Sequence, residues 1–282
     1  MNKVLKVGMA SILAVGMLAG CSDNSTTTTT SSSDKKIVVG ASPTPHAEIL
    51  NNAVASVLAE DGWTLEVIEF NDYVQPNTAL DAGEIDANYF QHIAYMDQFN
   101  EENGTNLVAV AGVHLEPMGV FSKNISSISE LTEGDEIVVP NDTTNESRAL
   151  SILKDNGIID IEDANGDGFF DETEITDAKG LKITPIEAAN LPNMLADVEL
   201  GVINGNYAVD AGLKLSDALI VEDANSDGAY QYVNYIVVNS GNENSEKTQA
   251  LIKAVQSDTV KAYIEENYAE SVIVAFTNPL EK

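Results

Sequence analysis

The sequence predicts two α/β lobes that are joined by two extended crossovers and enclose a ligand cleft. Three observations lead to this. Helix-periodic and strand-like segments alternate in two successive series. An extended stretch at 115–123, built around Pro117 and Gly119, separates the two series. A long apolar strand at 232–239 and a helical run at 245–268 then bring the chain back to the first lobe.

In the first series, 36–40 is a short apolar strand, and 45–60 carries apolar residues at helical spacing behind a Thr44-Pro45 start. Residues 64–70 alternate as a strand, completing a βαβ opening. The pattern repeats with 74–82 helical, 85–90 extended, 93–103 helical and 107–113 a buried strand. In the second series, 137–140 is a strand, 143–156 a helix, 181–186 a strand, 191–198 a helix and 201–207 a strand. Strands separated by helices imply mostly parallel sheets covered on both faces. The expected division is 36–116 with 238–282 as the first lobe and 117–237 as the second. Two lobes with a hinge between them suit closure on a small ligand.

The N-terminus carries Lys3 and Lys6, an apolar run from Val7 to Leu18, and then Ala19, Gly20 and Cys21. The run is short for a membrane span, which needs about 20 apolar residues, and residues 1–20 have the layout of a secretory signal. Leu-Ala-Gly-Cys resembles a bacterial lipobox, so Cys21 is the expected lipidation site, palmitate included. It is also the only cysteine, so no internal disulfide can form. The tract 21–35 is rich in Ser and Thr, has nothing to bury, and is expected to be a tether to the outer face of the cell membrane.

The 282 residues hold 14 Lys plus Arg against 45 Asp plus Glu, a formal charge of -31, which excludes nucleic acid as a partner. No nucleophile elbow, Walker-type glycine loop, His-Glu-x-x-His or paired-cysteine motif occurs, so an enzyme is not expected. His46, His92 and His114 are too scattered in sequence to suggest a metal site.

Several strings carry more specific information. Asn71-Asp72-Tyr73-Val74, with Pro76, Asn77, Ala79 and Leu80, precedes the block from Gly83 to His92 that ends in Phe90-Gln91-His92. Tyr95-Met96-Asp97 follows. Further on come Val139-Pro140-Asn141-Asp142, then Asn145, Arg148, Ala149 and Leu150, and finally Val202-Ile203-Asn204 with Tyr207. In order and spacing this set is similar to the methionine-binding lipoprotein (MetQ/NlpA) family, from Lys36 onward. The resemblance implies a type II periplasmic-binding-protein fold that delivers methionine to an ABC transporter permease. It places the ligand contacts on Tyr73, Phe90, His92, Tyr95, Asn145, Arg148, Asn204 and Asn234.

The residues agree with this in their chemistry. Arg148 lies in the first turns of a helix, where free backbone N–H groups favour an anion and a guanidinium fork can grip an α-carboxylate. For an arbitrary arginine the default is a surface pair with one of the many carboxylates. By spacing alone, Tyr73, Phe90 and Tyr95 would be core aromatics, although in a cleft they would sheathe a thioether. A lone histidine such as His92 is more often structural than functional. Asn204 and Asn234 either face the ligand's charges or cap turns. Two other readings stay open: the same fold binding another amino acid, D-methionine or a short peptide, and a surface interaction lipoprotein with a vestigial cleft.

One segment falls outside the family pattern. Residues 163–174 match a twelve-position EF-hand loop, with Asp163, Asn165, Asp167 and Glu174 as side-chain ligands, Phe169 as carbonyl ligand and Asp171 through water. Gly168 sits at the sharp turn. With Gly180 soon after, a long exiting helix has no room, so the expected role is a structural calcium brace in the second lobe. A second stretch, 223–228, begins in the same way but has Asn234 at position twelve in place of glutamate, and is expected to be only a turn.

Overall fold

In the computed structural model, which describes residues 35–224, 229–269 and 271–280, strand β1 (Lys36–Ala41) turns Ile37, Val39 and Ala41 into one core. Wide helical turns at 43–54 lead into α1 (Ala55–Glu60), followed by β2 (Thr64–Glu69), α2 (Gln75–Asp81), β3 (Ala87–His92), α3 (Ile93–Asn103) and β4 (Leu107–Leu115). The signal sequence, Cys21 and the tether lie outside the described residues, as does most of the 223–228 stretch. No helix among the described residues is long and apolar enough to cross a membrane.

The chain then builds a second sheet from β5 (Gly119–Phe121), β6 (Glu136–Pro140), β9 (Lys182–Ile186), β10 (Leu200–Ile203) and β11 (Ile220–Val221). Between them lie α4 (Thr143–Asp155), a small hairpin of β7 (Asp160–Ile161) and β8 (Ile175–Asp177), α5 (Leu191–Met194) and α6 (Gly205–Asp210). Finally β12 (Val233–Asn239) and β13 (Ile273–Thr277) join the first sheet, separated by α7 (Glu246–Val255) and α8 (Asp258–Asn267). The strand orders are β13-β4-β12-β3-β1-β2 and β11-β5-β10-β6-β9.

Both sheets are buried on both faces, because alternate side chains of one strand feed two cores. On β12, Val233, Tyr235 and Val237 pack into one cluster, while Ile236 and Val238 join the cluster of β1. On β6, Ile137 and Val139 face one core and Val138 the other.

The structure corrects four expectations. The sheets are mixed: β12 and β13 run antiparallel to β4, because the chain re-enters the first sheet from the opposite end. That re-entry begins at Val233, so the boundary placed at 237/238 falls too late. The strand expected at 201–207 stops at Ile203 and turns into α6, whose first residue, Gly205, packs so close to Glu116 that a Cβ there would meet the Glu116 Cβ at 2.6 Å. The run 245–268 is two helices, broken where the Ser257 side chain caps α8 by accepting from the Val260 N–H.

Candidate functional site

Strands β3, β4, β6 and β10 end at one cleft, the crevice beyond the carboxyl ends of strands where open α/β sheets bind ligands. His92 closes β3, Glu116 follows β4, and Asn204 follows β10. Because β12 runs the other way, its beginning arrives at the same place. Its register sets Asn234 opposite His92 on one side and His114 on the other. Helix α4 enters just after β6, with Asp142 as its cap. The Asp142 carboxylate accepts the Asn145 N–H at 3.0 Å, which points the first turns of α4, with Asn145 and Arg148, at the cleft.

About 340 Å³ of space, part of it open to solvent, lies among the residues that line the cleft. All eight residues singled out from the sequence line it: Tyr73, Phe90, His92, Tyr95, Asn145, Arg148, Asn204 and Asn234. Gln91, Glu116, Gly205 and Asn206 line it as well.

One wall is aromatic. The rings of Tyr73, Phe90 and Tyr95 form a triangle with centroids 5.7–6.0 Å apart, within the range at which aromatic pairs attract. Tyr73 donates its hydroxyl to Asn206 Oδ1 at 2.5 Å and Tyr207 donates to the Asn71 carbonyl at 3.3 Å, so hydrogen bonds cross from the first sheet's side to the second's. Burial pushes the Tyr73 phenol well above its ordinary pKa, so it stays a donor.

The other wall is polar, and its orientation follows from a chain of bonds. His92 Nδ1 accepts the Tyr95 N–H at 3.2 Å, which leaves Nε2 as the protonated nitrogen, donating to Asn145 Oδ1 at 3.3 Å. The Asn145 amide donates to the Asp142 carboxylate, so its oxygen faces the cavity side and also accepts from Asn204 Nδ2 at 2.8 Å. That turns Asn204 Oδ1 away from these donors, and this buried oxygen has no partner. Asn204 stands at the cap position of α6, yet its side chain makes no capping bond. The turn-capping alternative therefore fails for Asn204. For Asn234, Oδ1 accepts from His46 Nε2 at 3.0 Å.

Arg148 is buried and held rigidly. Its Nε donates to Glu222 Oε1 at 2.8 Å, its Nη2 donates to the other Glu222 oxygen and to the Glu116 carbonyl, and the guanidinium lies 4.0 Å over the Tyr232 ring. The carboxylate pairing that is the default for an arginine thus occurs, but buried and at the back of the guanidinium. Burial works against the charge, but Glu222 more than offsets this and raises the Arg148 pKa. A fixed cation therefore stands in the cavity wall.

Below the cavity, His46 and His114, distant in sequence, converge with Glu116, their ligand-capable atoms within 4.8 Å of one another. The scatter of the histidines along the chain gave no hint of this. His114 Nε2 and Glu116 Oε1 are 2.7 Å apart, and His114 Nδ1 bonds the Tyr89 hydroxyl. Burial alone would raise the Glu116 pKa, yet His46, His114 and Arg148 together lower it. The His46 Nε2–Asn234 and His114 Nε2–Glu116 hydrogen bonds position Asn234 and Glu116, while His46 Nδ1 is buried without a partner.

His92 makes the site sensitive to acid. Burial, helped by Arg148, lowers its pKa from 6.5 to about 3, so between those values the unfolded chain takes up a proton that the folded protein refuses. Stability from this group is full above about pH 6.5 and is lost as the pH falls toward 3. The thermal midpoint should drop between pH 6.5 and 5 through His92 and through His46, whose burial lowers its pKa to about 4, and His92→Gln should make that slope shallower; an unchanged slope in the variant would clear His92 of the effect.

Among the residues that spacing did not single out, Gln91 and Asn206 lie inside the quoted strings, beside His92 and Asn204. Glu222 left no signal, because its partner Arg148 is 74 positions away.

The chain as a whole is similar to several known proteins. The D-methionine-binding lipoprotein MetQ of Escherichia coli K12 is 42% identical over 214 residues, 73% of this chain and 77% of that protein. A nutrient-binding protein of Burkholderia cenocepacia, solved bound to methionine, is 38% identical with a TM-score of 0.80, covering 85% of this chain and 100% of that one. The substrate-binding protein of a methionine transporter from Streptococcus pneumoniae is 32% identical with a TM-score of 0.80, covering 86% and 96%. The NlpA lipoprotein pattern spans residues 37–276, and with it the chain belongs to the NlpA lipoprotein family.

Proposed function

We propose that this protein captures methionine outside the cytoplasm and hands it to a membrane-embedded ABC importer, without itself being an enzyme. The observation that carries this is the cavity's polarity. A buried, unpartnered acceptor, Asn204 Oδ1, shares one small chamber with the fixed guanidinium of Arg148 and a triangle of aromatic rings. An amino acid supplies the complement of each. Its carboxylate meets Arg148, its ammonium donates to Asn204 Oδ1, and its thioether lies among Tyr73, Phe90 and Tyr95, where sulfur-to-ring contacts contribute roughly 0.3–1.5 kcal/mol. His92 and Asn145 hold Asn204 in that orientation, and Asn234 closes the polar end.

Because Tyr73 and Tyr95 come from the first lobe and Asn145, Arg148 and Asn204 from the second, a bound ligand favours the closed arrangement of the two. The permease would receive that closed form. Lipid on Cys21 and the tract 21–35 would hold the protein on the outer face of the cell membrane. No catalytic cofactor enters this proposal; a structural calcium ion in the loop 163–174 does.

Mass spectrometry of small molecules released from protein purified without added amino acid tests the proposal. Methionine is the expected species. Another amino acid would keep the fold's role and change the ligand, while a chamber that neither releases nor binds any amino acid would overturn it. Calorimetry with L- and D-methionine then assigns the stereoisomer, which matters because the Escherichia coli relative carries the D-form in its name.

A further inference from the structure

The loop 163–174 joins β7 to β8 at the surface, with 163–168 and 172–173 exposed and 169–171 half-buried. Glu174 is its one buried residue, at 9% exposure. Glu174 Oε1 accepts the Ala164 and Asn165 N–H groups at 2.9 and 3.1 Å, which aims the carboxyl across the loop at its own first residues. The second oxygen, Oε2, is buried and has no partner. A buried polar oxygen left without a partner is costly.

A divalent cation removes that cost. Position twelve of a calcium loop is where one glutamate engages the ion with both oxygens, and Glu174 stands at that position. The turn positions fit too, with Gly166 and Gly168 at φ of +77° and +88°, a backbone region that favours glycine. The donors are all oxygen and include one carbonyl. This set suits calcium, whereas magnesium demands a rigid octahedron.

The loop also touches the binding helix. The Phe170 N–H donates to Ser147 Oγ at 2.9 Å, and the Glu172 N–H donates to Glu146 Oε1 at 3.0 Å. Ser147 and Glu146 lie on α4 between Asn145 and Arg148, the two residues that face the cavity. Phe170 packs against the same core as Leu150 and Leu153 of α4, and Lys154 of that helix lies 4.6 Å over its ring. Whatever orders residues 170–172 therefore steadies the first turns of α4.

We propose that the loop binds one calcium ion through Asp163, Asn165, Asp167, the Phe169 carbonyl, Asp171 by way of water, and both oxygens of Glu174, and that the bound ion tightens the cavity's hold on its amino acid by bracing α4. The second half rests on the methionine assignment; the first half does not. Linkage makes the effect reciprocal, so the amino acid also raises calcium affinity by the same factor.

Calorimetry of the full chain, stripped with chelator and titrated with calcium chloride alone, tests the site. One site is expected, with a dissociation constant on the order of 0.1–1 mM, as in extracellular modules. Glu174→Gln and the exposed Asp167→Asn should both remove the heat; the second variant guards against a folding defect in the first. No heat up to 10-fold above that range, or parental binding by both variants, would overturn the site. Methionine titrations with and without calcium then test the coupling: roughly 5-fold tighter binding with the ion is expected, and none in Asp167→Asn. Calcium binding with unchanged methionine affinity would overturn the bracing alone. Calcium binding in a protein that ignores methionine would leave the site standing and count against the cavity assignment.

Discussion

Arg148→Ala removes methionine binding and destabilises the protein. The substitution deletes the one cation placed to meet the ligand carboxylate, and it leaves Glu222, whose side chain is 13% exposed, without its partner. Breaking a buried pair from one side costs about 3–5 kcal/mol. A loss of about 3 kcal/mol in binding corresponds to roughly 100-fold in affinity. Calorimetry reads the binding and thermal unfolding the stability. The double variant R148A/E222Q separates the two, because it removes the stranded carboxylate as well. It should regain much of the stability and still fail to bind. If Arg148→Ala binds methionine as tightly as the parent, the ligand does not sit where its carboxylate would meet this guanidinium.

Asn204→Ala gives the opposite pattern, a large loss of affinity with little change in the unliganded protein. In the parent, Asn204 Oδ1 is buried without a donor, so its removal relieves a cost of folding while sacrificing the 2.8 Å bond to Asn145. These two effects are each on the order of 1 kcal/mol and opposite in sign. The ligand, by contrast, loses an acceptor for its ammonium, a charged hydrogen bond that contributes about 1.5–3 kcal/mol, or roughly 10- to 150-fold in affinity. A variant that unfolds several degrees earlier and binds normally would show that Asn204 serves the fold and not the ligand.

Most of the cavity-lining residues were reached through a family resemblance whose strings are local. Phe90-Gln91-His92 and Asn141-Asp142 with Asn145 and Arg148 each fall within one strand-to-helix turn, where a short segment both positions its side chains and preserves its spacing. The proposed calcium loop was read from one local segment as well, since a single twelve-residue turn would supply every ligand. The correction at Gly205 shows the limit. Apolar residues through 201–203 look the same whether the strand continues or stops, and the close packing of Gly205 against Glu116, which follows β4, appears only in the fold.

By itself, the sequence determined the alternation of strands and helices and the strong negative charge, and a family resemblance carried by short strings picked out residues that line the cavity. These depend on periodicity, composition and short-range spacing, which a chain carries without folding. Only the tertiary structure decided that Glu222 holds Arg148 from behind, that His46, His114 and Glu116 meet beneath the cavity, and that one oxygen each of Asn204 and Glu174 is buried without a partner. Such features depend on strand order and register. A two-residue period specifies which face of a strand is buried but not which strand lies beside it.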